Sequence, residues 1–283
     1  MADFIKSPLN YTGGKYRLLP QIFRFFPNNI NTFVEPFVGG YNVGVNITAN
    51  NLIANDTMPQ LIELLNYFNE TPAENITNEI NNIIAKYNLS KTNAAGYYEL
   101  RRDYSIERLP QQLFTLICYS FNNQIRFNSK GNFNTPFGKR EFNPSIQSNL
   151  KQFVDKIHSQ SVKFTNKDFR DLDYNSLTKD DYVYCDPPYL LGMATYNEND
   201  GWNEKDERDL LDILLKLDSR GIKFSVSNVL RLKGETNTIL EEWALKNEFN
   251  IIPMNMGYTN SSYNRKASND TLEVLITNHS VQK

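Results

Sequence analysis

Asp186, Pro187, Pro188 and Tyr189 end an apolar run, Tyr182-Val183-Tyr184-Cys185, with a carboxylate, two prolines and a phenol. This set suits chemistry on a planar amine. An amino group conjugated to a heterocycle is a poor nucleophile because its lone pair is delocalised into the ring. Hydrogen-bond acceptors aimed at its N–H bonds draw that pair back onto nitrogen, and the Asp186 carboxylate and the Pro187 carbonyl are such acceptors. Consecutive prolines fix φ and remove two donors, which stiffens the segment and leaves its carbonyls free to face a ligand. Tyr189 adds a ring face on which a base can stack. A strand end entering a turn can carry the same four residues for structural reasons alone.

Two glycine turns accompany that tetrapeptide. Phe37-Val38-Gly39-Gly40 closes another apolar run, and Asp56 follows Glu35 by 21 positions. A glycine turn after the first strand of a doubly wound sheet lets backbone approach a ligand, and an acidic residue at about that spacing can accept bonds from ribose hydroxyls. Tyr41 and Asn42 break the full dinucleotide fingerprint, so a mononucleoside ligand fits better. Nearer the N-terminus, Tyr11-Thr12-Gly13-Gly14-Lys15 sets an aromatic ring, two glycines and a cation before a helical segment, an arrangement able to hold a ligand carboxylate. It is not a phosphate loop, because Tyr16 follows Lys15 and no earlier glycine exists. Taken singly, a tight structural turn explains the glycine pair, and helix capping explains the Lys15 segment.

To act together, these groups must reach one edge of a sheet, and the hydrophobic pattern supplies one. It predicts strands at 32–38, 52–54, 162–165, 182–185, 222–226 and 249–254, with 272–277 as a closing hairpin partner. Helices are predicted at 42–50, 204–217 and 236–246. Residues 57–160 read as mostly helical: Ile76, Ile80, Ile83, Ile84 and Tyr87 share a face, 109–121 form a helix, and 144–157 follow Asn143 as an N-cap. Between the last two helices, 122–142 is polar, aromatic and basic, with Ser129-Lys130-Gly131 as a hairpin turn. The fold class is therefore α/β, a Rossmann-like mixed and mainly parallel sheet made by 1–56 and 161–283, with 57–160 as a helical insertion.

With 283 residues and 40% hydrophobic content the chain can bury a sizeable core. No apolar stretch reaches the roughly 18 residues of a membrane span, and residues 1–11 are too polar for a signal peptide, so a soluble cytoplasmic protein is expected. Cys118 and Cys185 sit in apolar runs and are expected as buried free thiols. His158 and His279 are the only histidines, so zinc and Ser-His-Asp chemistry both lack parts and no metal is expected; His158 is expected on a solvated helix face. A formal net charge of −2 supplies no global field for a polyanion, so nucleic-acid binding must rest on a local basic patch.

In chain order, the residues that combine these signals are Tyr11-Thr12-Gly13-Gly14-Lys15, Val34-Glu35-Pro36-Phe37-Val38-Gly39-Gly40, Asn55-Asp56, Phe121-Asn122 with Arg126, Phe133-Asn134-Thr135-Pro136-Phe137-Gly138, Asp168-Phe169 and Asp186-Pro187-Pro188-Tyr189. Over nearly its whole length the chain thereby resembles the Dam-type DNA adenine-N6 methyltransferases of the D12 class, alpha arrangement. The resemblance implies S-adenosylmethionine as cofactor, with Tyr11, Gly14 and Lys15 at its methionine part and Glu35, Phe37, Gly39 and Gly40 around the turn that admits it. It further implies Asp56 at the ribose and Asp168 and Phe169 beside the adenine. Asp186 and Tyr189, with Pro187 and Pro188, are implied to hold a flipped target adenine, with Ser227-Asn228 at the end of a later strand lining the same pocket. Tyr41 departs from the family, which often continues the glycine turn with a third small residue.

Residues 57–160 then become the DNA-recognition domain. Asn123, Gln124, Arg126, Asn128, Lys130, Asn134, Pro136, Lys139 and Arg140 are the expected DNA contacts, because arginine can pair bidentately with guanine and Asn or Gln with adenine. Arg265 and Lys266 are a second candidate for backbone contact. The implied protein is a bacterial or phage-encoded monomer acting on double-stranded DNA, in a restriction-modification system with an independently acting endonuclease or alone. Some family members methylate GATC, but the Asn122-Asn123-Gln124 stretch differs from close members and the target sequence is not fixed. A cytosine-N4 methyltransferase has the same acceptor geometry, and a DNA-binding regulatory module without catalysis would show erosion of Lys15, Asp56 or Asp186, all of which are present.

Overall fold

The computed structural model describes residues 4–191, 201–255 and 271–280. Among these, the strands are β1 (Thr32–Glu35), β2 (Asn51–Asn55), β3 (Val162–Thr165), β4 (Tyr182–Cys185), β5 (Lys223–Leu232), β6 (Glu235–Thr236), β7 (Asn250–Met254) and β8 (Thr271–Thr277). They form one sheet in the order β3-β2-β1-β4-β5-β8-β7, with β6 also on β5. The pairs from β3 through β5 are parallel, and β8 joins β5 and β7 antiparallel. The chain winds outward from β1 to β3 and then reverses to β4. That reversal leaves a crevice beyond the carboxyl ends of β1 and β4, where open α/β sheets bind ligands.

The helices are α1 (Leu19–Ile22), α2 (Pro59–Glu70), α3 (Ala73–Lys86), α4 (Ala94–Glu107), α5 (Pro110–Tyr119), α6 (Pro144–His158), α7 (Glu204–Ser219) and α8 (Thr238–Lys246). Local chemistry sets several boundaries. Pro144 opens α6 and the Asn143 side chain accepts from the Ile146 N–H, while Asn203 and Asp206 form a reciprocal capping box on α7. Strand alternation assigns the faces of the sheet. Tyr182 and Tyr184 of β4 belong to the same buried cluster as Phe68, Phe114 and Phe153 of α2, α5 and α6, whereas Val183 and Cys185 belong to that of Leu210 and Leu214 of α7 and Leu240 of α8. The helical tract thus shares one continuous core with a face of the sheet.

Three expectations about elements are corrected. Residues 42–50 are not an α-helix; they hold a single 3₁₀ turn, Gly44–Asn46, because the segment is tied down by long-range bonds. The Gln160 side-chain amide lies within 3.2 Å of the Gly44, Val45 and Ile47 carbonyl oxygens, and its Oε1 accepts from the Tyr41 hydroxyl at 3.0 Å. The strand predicted at 32–38 ends at Glu35, since Pro36 has no N–H to continue a ladder. The strand predicted at 222–226 extends to Leu232, paired along its length with β8, so Ser227 and Asn228 are mid-strand residues. His158 is exposed as expected, with Nε2 3.0 Å from the Phe68 carbonyl oxygen. Cys118 and Cys185 are free and buried. No helix among the described residues is long and apolar enough to cross a membrane.

Candidate active site

Glu35 ends β1 and Asp186 follows β4, so both stand at the carboxyl edge where the strand order reverses. The 11–15 segment reaches the same edge. Lys15 is only 4% exposed, with Nζ 2.9 Å from Asp186 Oδ1, 3.7 Å from Glu273 Oε1 and donating to the Gly13 carbonyl oxygen at 2.8 Å. The Tyr189 hydroxyl lies 3.2 Å from Asp186 Oδ1 and 3.3 Å from Glu273 Oε1, and its ring is 5.1 Å from the same ammonium. Two carboxylates, one ammonium and one phenol therefore make a compact cluster with a negative balance. Burial raises the Asp186 pKa above the usual carboxylate value, and Lys15 and Tyr189 pull it part-way back. Glu273 is raised by burial and by the Asp186 charge, against the pull of Lys15. On the same sheet face the Tyr184 hydroxyl and Ser227 Oγ are buried without a partner among the described residues.

The glycine turn is built beside this cluster. Gly39 has φ +47° and donates its N–H to Asp56 Oδ2 at 3.1 Å; a Cβ there would meet the Tyr11 ring at 3.0 Å. The other Asp56 oxygen accepts from the Met58 N–H at 3.0 Å. Burial raises the Asp56 pKa, and these backbone donors lower it. Glu35, 2% exposed, accepts from the Gly44 N–H at 3.1 Å. Its pKa is pushed well up by burial and then by the Asp186 charge. Tyr41 turns away from the crevice: its ring packs against Phe153 and Phe164, at centroid distances of 6.2 and 5.0 Å, and its hydroxyl reaches Gln160. The large residue after the glycine pair is thus absorbed by the core.

Phe37, Phe169 and Trp202 form a three-ring group, with centroid distances of 5.3, 5.5 and 5.5 Å. The Trp202 N–H donates to buried Glu207 at 2.7 Å. Asp168 faces its own turn, accepting from the Arg170 N–H and guanidinium, and that guanidinium also binds Asp206 and Asp209.

The 122–142 segment forms the expected hairpin, with a Phe127–Phe133 bridge and a turn closed by the Gly131 N–H on the Asn128 carbonyl. Gln124, Lys130, Lys139 and Arg140 lie on it with side chains partly or fully exposed, as does Pro136. Four predicted readers have side-chain partners within the protein. Asn123 donates to the Ile117 and Cys118 carbonyl oxygens at the end of α5, Asn128 accepts from the Lys130 and Asn132 N–H groups, and Arg126 donates to Asn134 Oδ1 and its carbonyl oxygen at 2.9 and 3.1 Å. The hairpin is joined to the cluster: Asn10, one residue before Tyr11, donates to the Asn122 carbonyl oxygen at 2.7 Å and bridges Gln124. Arg265 and Lys266 lie outside the described residues.

A family model for D12 class N6 adenine-specific DNA methyltransferases matches residues 11–260. The chain belongs to this family. It is 42% identical over 283 residues to the type II methyltransferase M.FokI of Planomicrobium okeanokoites, covering 98% of this chain and 43% of that protein. It is 41% identical over 282 residues to the modification methylase StsI of Streptococcus sanguinis, with coverages of 98% and 43%. The DNA adenine methylase of Escherichia coli (strain K12) is 27% identical over 276 residues, 93% of each chain. The chain spans less than half the length of the first two relatives.

Three residues of this D12 class chain join the site without having been singled out in the sequence. Glu273 sits in a strand that reads only as a hairpin partner, and its position opposite Asp186 depends on β8 pairing with β5. Trp202 lies 14 residues after the Asp-Pro-Pro-Tyr motif's Pro188, with no pattern around it. Gln160 resembles any polar residue between a helix and a strand. Alternation supplies the one local signal, since Glu273 breaks the apolar series Val274-Leu275-Ile276 on the face shared with Leu275.

Proposed function

We propose that the chain transfers the methyl group of S-adenosylmethionine to N6 of an adenine flipped out of double-stranded DNA at a specific sequence. The observation that carries this reading is the Lys15–Asp186–Tyr189 cluster at the reversal of strand order, in a chain of the N6 adenine-specific class. The crevice suits that methyl donor chemically. Lys15 offers a cation to a carboxylate, and Gly39 and Gly40 let Tyr11 pack directly against the backbone of the turn. Each Asp56 oxygen keeps a second lone pair for a ribose hydroxyl. Phe37, Phe169 and Trp202 offer an apolar wall for an adenine. When bound, the donor supplies a methyl already activated on a sulfonium.

The protein's work is then positioning and charge stabilisation rather than strong-base catalysis. Asp186 accepts an N6–H and faces the positive charge that develops on nitrogen, and the Pro187 carbonyl is the second acceptor. Pro188 stiffens the turn, and Tyr189 stacks on the base. Extrusion costs a few kcal/mol of stacking and pairing, on the order of what such pocket contacts return. Residues 1–56 and 161–283 serve as the catalytic unit and 57–160 as the recognition unit. There Gln124, Arg126, Lys130, Asn134, Pro136, Lys139 and Arg140 meet the DNA, with Arg265 and Lys266 as a second backbone contact. The protein acts as a cytoplasmic monomer, and any partner endonuclease acts independently.

Incubation with labelled S-adenosylmethionine and mixed-sequence duplex DNA, followed by mapping of modified bases, tests the reading. N6-methyladenine within one short motif is expected. N4-methylcytosine, or DNA binding without transfer, overturns it in favour of the cytosine or non-catalytic alternative.

A further inference from the structure

Asp186 Oδ1 has two donors within the protein. It receives the Lys15 ammonium at 2.9 Å and the Tyr189 hydroxyl at 3.2 Å. An amine that is to be gripped by this oxygen must compete with both, and Lys15, 4% exposed, is buried deeply enough that losing its acceptor without replacement is costly. Among the described residues only one other carboxylate lies within reach of either donor. Glu273 Oε1 is 3.7 Å from Lys15 Nζ and 3.3 Å from the Tyr189 oxygen. Its position is fixed by the sheet: Glu273 pairs with Val229 of β5 and with Met254 of β7, and it is 8% exposed.

We propose that Glu273 is a positioning residue that takes over Lys15 and the Tyr189 hydroxyl when Asp186 turns its Oδ1 to the incoming amine. The inference rests on the methyltransferase reading above. A single phenolic proton cannot be shared fully by two carboxylates, so the paired distances of 3.2 and 3.3 Å describe a donor poised between alternatives. Lys15 has the shorter contact to Asp186 and the longer to Glu273, so both carboxylates lie within ion-pair range of one ammonium. Once shifted, Lys15 and Tyr189 stay anchored, the ring keeps its orientation for stacking, and Asp186 is free. The arrangement needs Glu273 charged to retain the ammonium, whereas a neutral acceptor of the same shape serves only the phenol.

The test compares the wild-type chain with Glu273→Gln and Glu273→Asp. Single-turnover methyl transfer, KM for duplex DNA, S-adenosylmethionine affinity, and 2-aminopurine fluorescence at the target position with the demethylated cofactor product are measured. For Glu273→Gln the single-turnover rate is expected to fall about 10- to 100-fold, the loss of one hydrogen bond to a charged group. KM and cofactor affinity stay within about threefold, because Lys15 remains on Asp186. The 2-aminopurine signal of an extruded base is retained but broadened in its rise, since stacking on Tyr189 is less firmly oriented. Glu273→Asp recovers part of the rate. Tyr189→Phe, which removes one of the two donors, is expected to shrink the effect of Glu273→Gln in a double-mutant cycle. Wild-type rates in Glu273→Gln, or equal losses in rate, KM and melting temperature in Glu273→Gln and Glu273→Asp alike, overturn the positioning role while leaving the activity standing. Absence of transfer by the wild-type chain overturns both.

Discussion

At the scale of single residues, the proposed chemistry depends on a carboxylate that must be charged in a place that disfavours charge. Burial raises the Asp186 pKa, and activity needs the ionised form, so transfer is expected to fail as pH drops through a value above the ordinary 3.8. Asp186→Asn keeps the shape and one acceptor but removes the charge. Its single-turnover rate is expected to fall by about 100- to 1,000-fold, comparable with removing a preorganised electrostatic group, while duplex affinity changes less than about threefold. Rapid quench and filter binding measure the two; a rate within about tenfold of wild type would falsify the assigned role. Asp186 was legible in the sequence because strand end, prolines and aromatic ring are contiguous. Glu273 was not, because its meeting with Asp186 is made by strand pairing between segments 87 positions apart.

At the scale of elements, the same contrast separates turns from loops. Glycines, prolines and caps marked the strand ends and the helices α6 and α7, since those signals act on their own backbone. Residues 42–50 carry a helical pattern yet form no α-helix, because what holds them is distant. Glu35, nine positions before Gly44, takes its N–H, and Gln160 gathers three carbonyls. Gly44 is the tight point, where a Cβ would stand 2.0 Å from the Tyr41 ring and 2.7 Å from Glu35 Oε2. Gly44→Ala is therefore expected to cost about 1–3 kcal/mol, lowering the melting temperature by on the order of 5 °C, and to weaken cofactor binding more than DNA binding. Calorimetry and separate titrations of the two ligands decide it, and an unchanged melting curve contradicts the packing described.

The 122–142 hairpin, proposed to read DNA, carries an element-scale prediction of its own. Arg126 is exposed and oriented by two bonds to Asn134, so its guanidinium plane is preset before DNA binds. Arg126→Ala is expected to relax discrimination at one base by about 10- to 100-fold, with little change at the others. Lys130→Ala is expected instead to weaken binding evenly and to reduce its salt dependence by about one counterion. Genome-wide methylation maps and affinities at two salt concentrations distinguish the pair. An unaltered map for Arg126→Ala moves base reading away from the hairpin.

For the whole molecule, site and stability pull in opposite directions along the pH axis. Glu35, Asp56, Asp186, Glu207 and Glu273 all have pKa values raised by burial. A carboxyl with a raised folded pKa binds more protons folded than unfolded, so its contribution makes the protein more stable as pH falls through that value. Asp103, Asp181 and Asp209 have lowered values and lose their contribution only on further acidification below the ordinary 3.8. His279, held neutral by burial, opposes the trend below its ordinary 6.5. Net charge is small, with a pI near 5.8, so general repulsion changes little in this range and the buried groups set the slope. Glu35→Gln isolates one of them, since the amide oxygen can still accept from the Gly44 N–H. At a pH above the raised Glu35 value the variant is expected to melt above wild type, because it no longer holds a buried charge beside Asp186 and Asp56. As pH falls through the raised Glu35 value the wild-type carboxyl takes up a proton and the gap closes. A gap that stays constant across that range shows Glu35 titrating as an ordinary carboxylate and removes the electrostatic strain attributed to the crevice.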